Sequence, residues 1–265
     1  MKKKVIVAII ALIIVIPILI IGGLPFYIGI AIISMLAYKE IITLRQAHNK
    51  VPDLMKVVGA FSLFYLVFNH MEGYYLQIGL SYTALCTLLV GMLTPTIFYK
   101  DDKYTTKDAF YLIGSILLLG LVFNSIILVY NSNKWYLVYL ILITALNDTF
   151  AMILGRLIGK HKLIPSVSPN KTVEGSFLGL VIGTFISVIF FINIIKAPIS
   201  IWLVILMTLV LSVVGQLGDL LFSKIKRENN IKDFSNIMPG HGGILDRLDS
   251  LALVLLAFII IINLI

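Results

Sequence analysis

Charged residues are scarce in this sequence, and cysteine is almost absent. Only 13% of the 265 residues are charged, whereas 60% are hydrophobic and the mean hydropathy is +1.04. A water-soluble domain of this length could not hide so much apolar surface, so the composition indicates an integral membrane protein. The single cysteine, Cys86, excludes an intramolecular disulfide and any metal site built from several cysteines.

The long apolar segments predict an all-α, polytopic membrane protein with about nine transmembrane helices. The first two segments are separated only by the sequence GGLP, which predicts a tight hairpin. No signal-peptidase site follows the first segment, so we expect it to be retained as a helix. The nine segments cover approximately residues 5–22, 24–38, 54–69, 74–98, 109–130, 135–154, 175–195, 199–222 and 244–265.

The basic residues are distributed very unevenly between these segments. When the segments alternate across a membrane, Lys134 and Lys196 fall on one side and the remaining 19 of the 21 lysines and arginines fall on the other. The positive-inside rule then predicts a cytoplasmic N-terminus and an external C-terminus in the cell membrane. A basic cytoplasmic face favours anionic ligands, although these cations could also serve only to fix the topology.

The polar sequence is concentrated in the second half of the chain. We therefore predict an N-terminal region, residues 1–134, with about five spans and a C-terminal catalytic region, residues 135–265. The C-terminal region contains two polar cytoplasmic loops, residues 155–175 and 223–245. Between them, Gly175, Gly179 and Gly183 recur at every fourth residue and predict close packing against another helix.

Four aspartates occupy positions that are unusual in apolar helices. Asp148 and Asp219 lie within or at the edge of spans, where a carboxylate is costly unless it meets a partner or a polar cavity. Asp246 and Asp249 lie three residues apart and therefore share one face at the start of the last span. Asp219, Asp246 and Asp249 could together bind Mg²⁺, which prefers oxygen ligands. Charges that reach water at a helix end, or that interact with the helix dipole, are the structural alternatives.

The two polar loops also contain residues suited to phosphate binding. Glycine-rich backbone at a helix start and nearby cations can bind phosphate oxygens together. Phosphoryl or nucleotidyl transfer needs these groups for positioning and charge neutralisation. The candidate residues are Arg156, Ser168, Lys171 and Thr172 in the first loop, and Lys226, Arg227, Lys232, His241, Gly242 and Gly243 in the second.

The spacing of these residues resembles the signature of the phosphatidate cytidylyltransferases, or CDP-diacylglycerol synthases. The resemblance is carried by Ser223-x-Ile225-Lys226-Arg227, by Lys232-Asp233 and by the run PGHGGILDRLD that ends at Asp249. Two upstream motifs agree with it, one from Asp148 to Arg156 and one from Ser168 to Gly175. The resemblance thus covers residues 148–250.

This resemblance implies a Mg²⁺-dependent reaction of phospholipid biosynthesis, with room for a second cation. CTP and phosphatidate would give CDP-diacylglycerol and pyrophosphate at the cytoplasmic surface. It also implies membrane lipids as partners, a homodimer and no nucleic-acid partner. By the same resemblance, Asp219, Asp246 and Asp249 bind the metal, Asp148 is an auxiliary acid, and Lys171, Lys226, Arg227 and Arg247 hold phosphates. His241, Gly242 and Gly243 would contact the nucleotide phosphates.

Three other classes fit the sequence less well. A CTP-using lipid kinase is a related alternative, whereas a prenyltransferase would need paired aspartate-rich motifs that Asp101-Asp102 does not supply. A transporter would place its polar residues near the membrane midplane in two related halves. A structural scaffold would not require Asp148 and Asp219.

Overall fold

The computed structural model describes residues 13, 16–46, 50–69, 82–99, 103–238, 240 and 242–264, and these residues are predominantly helical. Residues 16–21 are helical and precede α1. The helices of the first half are α1 Gly23–Gln46, α2 Asp53–Phe68, α3 Tyr82–Leu93, α4 Pro95–Phe98 and α5 Thr106–Ser132. Those of the second half are α6 Lys134–Ile158, α7 Val173–Phe190, the π-helix Phe191–Ile195, α8 Ile201–Glu228 and α9 Leu245–Ile262. Two short strands, β1 Lys162–Ile164 and β2 Ser168–Thr172, lie between α6 and α7.

The prediction of an all-α protein with several apolar helices is confirmed. Among the described residues, five helical segments are long and apolar enough to cross a membrane: Gly23–Arg45, Thr106–Ser132, Lys134–Ile158, Val173–Ile195 and Ile201–Glu228. Most of the predicted first segment, 5–22, lies outside the described residues. Gly22 and Gly23, in the predicted hairpin turn, have positive φ angles, which glycine adopts without strain.

The chain forms two compact units. Unit 1 contains Met1–Ile127 and Asp233–Asp246, and unit 2 contains Leu128–Lys232 and Arg247–Ile265. In unit 1, Arg45 of α1 forms an ion pair with the fully buried Asp108 of α5 at 2.5 Å. The amide of Asn124 in α5 donates to the carbonyls of Leu66 and Val67 at 3.2 and 3.0 Å. Polar contacts therefore connect α5 to both α1 and α2.

In unit 2, the predicted glycine stripe is the contact between α6 and α7. A Cβ atom at Gly175 would lie 2.7 Å from the Cα of Gly155, and one at Gly179 would lie 2.7 Å from the backbone nitrogen of Ala151. A Cβ at Gly183 would lie 3.3 Å from the backbone nitrogen of Asn147. The two backbones approach too closely for larger side chains, and the prediction of close helix packing is confirmed.

A buried polar network joins α6, α7 and α8 in unit 2. Asn147 donates to the carbonyl of Ser212 at 2.8 Å, and its own side-chain oxygen accepts from Gln216 at 3.3 Å. Gln216 also donates to the carbonyl of Ser176 at 2.9 Å. Because unpaired polar groups are costly in an apolar interior, this network favours one register of the three helices.

Residues 155–175, predicted as the first polar loop, contain regular secondary structure. Helix α6 continues to Ile158, and the antiparallel strands β1 and β2 follow, with Lys162 opposite Thr172. Glu174 accepts the backbone N–H groups of Lys160 and His161 at 3.1 and 3.2 Å, so it fastens the hairpin to the start of α7. In the second segment, α8 extends to Glu228.

Candidate functional site

A cavity of about 580 Å³ in unit 2 collects residues from α6, the β-hairpin, α7 and α8. Its lining combines two carboxylates with three cations and several hydroxyl or amide groups. Six of the sequence-predicted residues line it: Asp148, Arg156, Ser168, Lys171, Thr172 and Asp219. Lys162, Asn170 and Ser176 add further polar groups to the wall. Charge of both signs in one open cavity suits a ligand that carries phosphates and a divalent cation.

Lys171 and Asp219 form an ion pair at this cavity, and both side chains are about four-fifths buried. Lys171 lies in β2 and Asp219 in α8, so the pair connects the hairpin to the helix. Asp219 also accepts a hydrogen bond from the hydroxyl of Ser223, one turn later, at 3.2 Å. The hairpin thus places a lysine beside an acid that belongs to a largely apolar helix.

Asp148 and Asp249 are connected through Ser250. The Ser250 hydroxyl donates to Asp148 Oδ2 at 3.2 Å, and its backbone N–H donates to Asp249 Oδ1 at 2.8 Å. Ser250 itself is buried. Asp148, Asp219 and Asp249 are close enough for each carboxylate to interact electrostatically with the other two. The three acids therefore form one cluster of like charge, which a cation would stabilise.

The approach of α8 to α9 has a local cause at Gly218. A Cβ atom at this position would lie 2.6 Å from the carbonyl oxygen of Asp249 and 3.3 Å from that of Ser250. Glycine therefore permits the backbones of the two helices to come together beside Asp219. This contact brings two of the predicted metal-binding acids into one cluster.

The predicted phosphate-binding residues at the end of α8 occupy different environments. Lys226 is buried and interacts electrostatically with Asp249. Arg227 is exposed and donates to the carbonyls of Val167 and Ile231 at 3.4 and 3.0 Å. Arg227 thus connects the turn of the hairpin to the end of α8.

Two other predicted cations lie at the surface of unit 2. Lys232 is exposed. Arg247 is also exposed and lies within electrostatic range of Asp148. Arg247 therefore belongs to the electrostatic surroundings of the acid cluster, and its phosphate-binding role stays a prediction.

The glycine-rich turn of unit 1 has a well-defined internal arrangement. Asp246 is buried, and its Oδ2 accepts the N–H groups of Phe234 and Gly243 at 2.8 and 2.9 Å. Gly242 has a φ of +79° and pairs with Met238. A phosphate contact by the Gly243 N–H would therefore have to replace the contact with Asp246. The predicted site residue His241 lies outside the described residues.

The acids of unit 2 fit Mg²⁺ by chemistry, but they do not form a complete coordination shell by themselves. Among the described residues, no three acidic, histidine or cysteine side chains lie close enough together to hold a metal ion. Mg²⁺ in phosphate-transfer sites commonly takes one or two carboxylates and completes its shell with water and substrate phosphates. Asp219 and Asp249 provide such oxygen donors, and the metal role of Asp219, Asp246 and Asp249 stays a prediction.

Two residues that the sequence reasoning did not select are prominent in the structure. Ser250 connects Asp148 to Asp249, and its position directly after the predicted acid Asp249 was an available signal. Glu40 is 2% exposed near the end of α1. The predicted span ends at residue 38, whereas α1 continues to Gln46, so Glu40 lies beyond the predicted span but within the helix.

A family model and individual relatives identify the same kind of protein as similar to this chain. The model of the Cytidylyltransferase family matches residues 2–265. A protein named phosphatidate cytidylyltransferase from Staphylococcus haemolyticus is 35% identical over 257 residues, which cover 96% of each chain. A protein of the same name from Staphylococcus aureus is 36% identical over 256 residues, again covering 96% of each chain.

Proposed function

The chain belongs to the Cytidylyltransferase family, and we propose that it is the enzyme that transfers CMP from CTP to phosphatidate. The products are CDP-diacylglycerol and pyrophosphate, which places the enzyme in phospholipid biosynthesis. Similarity to phosphatidate cytidylyltransferases over 96% of the chain supports the substrates. The cavity that joins Asp148 and Asp219 to Lys171 and Arg156 is the structural observation that carries the proposal.

The reaction exchanges one phosphoric anhydride bond for another. An oxygen of the phosphatidate phosphate forms a bond to the α-phosphorus of CTP, and the bond from that phosphorus to the bridging oxygen of the β-phosphate breaks. Pyrophosphate carries away the electron pair. A phosphate monoester is largely ionised at neutral pH, so its oxygen needs no strong general base. The main task of the protein is to position two anions against each other.

The cations at the cavity are suited to this task. Lys171 is held by Asp219, which fixes the direction of its ammonium group, and Arg156 and Lys162 line the same cavity. We assign these three side chains to the CTP phosphates, where they reduce repulsion between nucleotide and lipid phosphate. Ser168 lies at the start of β2 and supplies a neutral hydrogen-bond donor. Lys226, Arg227 and Arg247 complete the proposed phosphate-binding set.

Mg²⁺ is the proposed cofactor. Asp219 and Asp249 are the unit 2 carboxylates that would hold it, Asp246 is the third predicted ligand, and Asp148 is the auxiliary acid. When bound, the ion neutralises charge on the phosphates and orients them. Without a cation, the three acids of the unit 2 cluster repel one another. The same reasoning leaves room for a second cation.

We further propose that the protein crosses the cell membrane about nine times, with a cytoplasmic N-terminus and an external C-terminus. The distribution of 19 of the 21 basic residues to one side supports this orientation. The active site would then face the cytoplasm, where CTP arrives from water and phosphatidate arrives from the leaflet. A homodimer is proposed from the family resemblance.

The direct test uses the full-length protein purified in detergent. CTP labelled at the α-phosphate, phosphatidate and Mg²⁺ should give labelled CDP-lipid and unlabelled pyrophosphate. Diacylglycerol in place of phosphatidate should give no labelled lipid, and neither should the Asp219→Asn variant. A product labelled only when CTP carries its label at the γ-phosphate would identify a lipid kinase. Absence of both products from folded protein would refute the proposed function.

A further inference from the structure

Glu40 is a buried carboxylate in unit 1 with a specific set of hydrogen-bond donors. It lies in α1, is 2% exposed and accepts hydrogen bonds through both oxygens. Oε1 accepts from the Ser235 hydroxyl at 2.6 Å and from the Ile244 N–H at 2.8 Å. Oε2 accepts from the Leu245 N–H at 2.9 Å. A buried charge is costly unless several donors satisfy it, so this arrangement is built around the carboxylate.

All three donors belong to the stretch of unit 1 that follows α8, residues 233–246. The donors lie about 200 positions after Glu40 in the chain, and two of them are backbone groups at the start of α9. The first N–H groups of a helix have no partner within that helix, and they interact favourably with a negative charge. Glu40 therefore fixes both the beginning of α9 and the chain that leads to it.

Asp246 stabilises the same turn through hydrogen bonds within unit 1. Its Oδ2 accepts the N–H groups of Phe234 and Gly243, while Glu40 accepts those of the two residues that follow Gly243. The space is closely filled, because a Cβ atom at Gly243 would collide with the Glu40 carboxylate. The orientation of Asp246 thus depends on a turn that Glu40 clamps from another helix.

We infer that Glu40 is a positioning residue for CMP transfer, acting through the Gly242–Asp246 turn. This inference rests on the proposed function, in which Asp246 is one of the predicted acids of the active site. The clamp sets where α9 begins, and Asp249 lies one turn later on the same helix. The position of Asp249 therefore depends on the clamp as well. Glu40 itself is assigned no contact with either substrate.

The isosteric change Glu40→Gln tests the role of this carboxylate. In Glu40→Gln, one acceptor oxygen is replaced by an NH₂ group that faces backbone or hydroxyl donors. At least one of the three hydrogen bonds is then lost, and the turn loses its negative partner. A displacement of about 1 Å in a reacting group can lower turnover by about 10²-fold. We expect kcat to fall by at least about tenfold, with the KM for CTP changed by less than about threefold.

Asp108→Asn is the matched control, because Asp108 is also a fully buried acid of unit 1 and lies in the first turn of a helix. It accepts hydrogen bonds from Arg45 in α1 and from Thr105 directly before α5, both far in sequence from the turn that Glu40 holds. Both variants should lower the melting temperature of the detergent-solubilised protein. Only Glu40→Gln should lower kcat per folded molecule by more than about twofold. Glu40→Asp, which keeps the charge, should recover part of the loss.

Hydrogen–deuterium exchange of the full-length protein provides a readout that does not depend on catalysis. Glu40→Gln should accelerate exchange in peptides that contain Ile244 and Leu245, and Asp108→Asn should not. Unchanged exchange would refute the clamp, and accelerated exchange with normal kcat would refute the positioning role. If the wild-type protein makes no CDP-lipid, the proposed function fails, whereas the exchange experiment still tests the clamp.

Discussion

Lys171 and Asp219 form an ion pair that joins the β-hairpin to α8 at the cavity of unit 2. The pair combines a candidate phosphate-binding cation with a candidate metal-binding acid. In water such a pair would contribute little, but here both side chains are about four-fifths buried. The lysine is therefore oriented before any ligand arrives, and less ordering is needed when CTP binds.

Replacement of Lys171 should impair catalysis more than folding. We expect Lys171→Gln to lower kcat/KM for CTP by about 10²-fold or more, because a positioned charge at the phosphates is lost. Lys171→Arg should retain a larger part of the activity. Initial rates of CDP-lipid formation measure both effects. Lys224→Gln is the control, since Lys224 is exposed and pairs only loosely with Glu228 at 3.8 Å; equal losses in the two variants would contradict the assignment.

Removal of the Ser250 hydroxyl should loosen Asp148. Hydrogen bonds to charged groups contribute about 1.5–3 kcal/mol, so Ser250→Ala should lower kcat by about tenfold or more. The backbone contact with Asp249 is retained in this variant. Ser62→Ala removes a hydroxyl that bonds its own helix, at the carbonyl of Val58, and should leave the rate unchanged. Normal kcat in Ser250→Ala would show that this hydrogen bond does not position the acid.

Asp246, the acid at the glycine-rich turn, should be required for CDP-lipid formation. We expect Asp246→Asn to abolish CDP-lipid formation while the protein is still produced and elutes as a folded species. The asparagine oxygen can still accept from the N–H groups of Phe234 and Gly243, so the turn has a substitute partner. Activity near the wild-type level would remove Asp246 from the proposed metal site. Loss of folded protein instead would assign it a structural role.

A methyl group at Gly179 should destabilise the protein. Its Cβ would lie 2.7 Å from both the Ala151 nitrogen and the Asn147 carbonyl oxygen, so α6 and α7 would have to separate. Overpacking of this kind costs about 1–3 kcal/mol. Gly179→Ala should therefore lower the melting temperature, measured by size-exclusion chromatography after heating. Gly114→Ala is the control, because nothing lies within 4 Å of its Cβ; equal melting temperatures would contradict the close-packing argument.

Chelation of divalent cations should stop the reaction reversibly. EDTA should abolish CDP-lipid formation, and Mg²⁺ added in excess should restore it, because the acids need a cation to approach the substrate phosphates. The chelated protein should elute as before, since ion pairs and packing hold its helices together. Full activity after exhaustive chelation would refute the cofactor proposal.

The sequence predicted more of the chemistry than of the local structure. The motif spacing selected six residues from separate segments of the chain. In the structure, all six line one cavity. The β-hairpin was missed because its strands have only three and five residues and depend on Glu174 and on the ends of α6 and α7. Helix α8 extends six residues beyond the predicted span because its last turns are polar, and hydropathy does not detect them.

Sequence alone predicted the membrane class, the packing stripe of Gly175, Gly179 and Gly183, and a set of candidate site residues, since hydropathy, helical period and motif spacing are local properties of the chain. Tertiary structure alone decided which of those residues meet. The Lys171–Asp219 pair and the Ser250 hydrogen bond to Asp148 join segments far apart in sequence, and the burial of Glu40 depends on residues about 200 positions later. Hydrogen bonds and ion pairs require a defined distance and direction, and only the packed helices supply them.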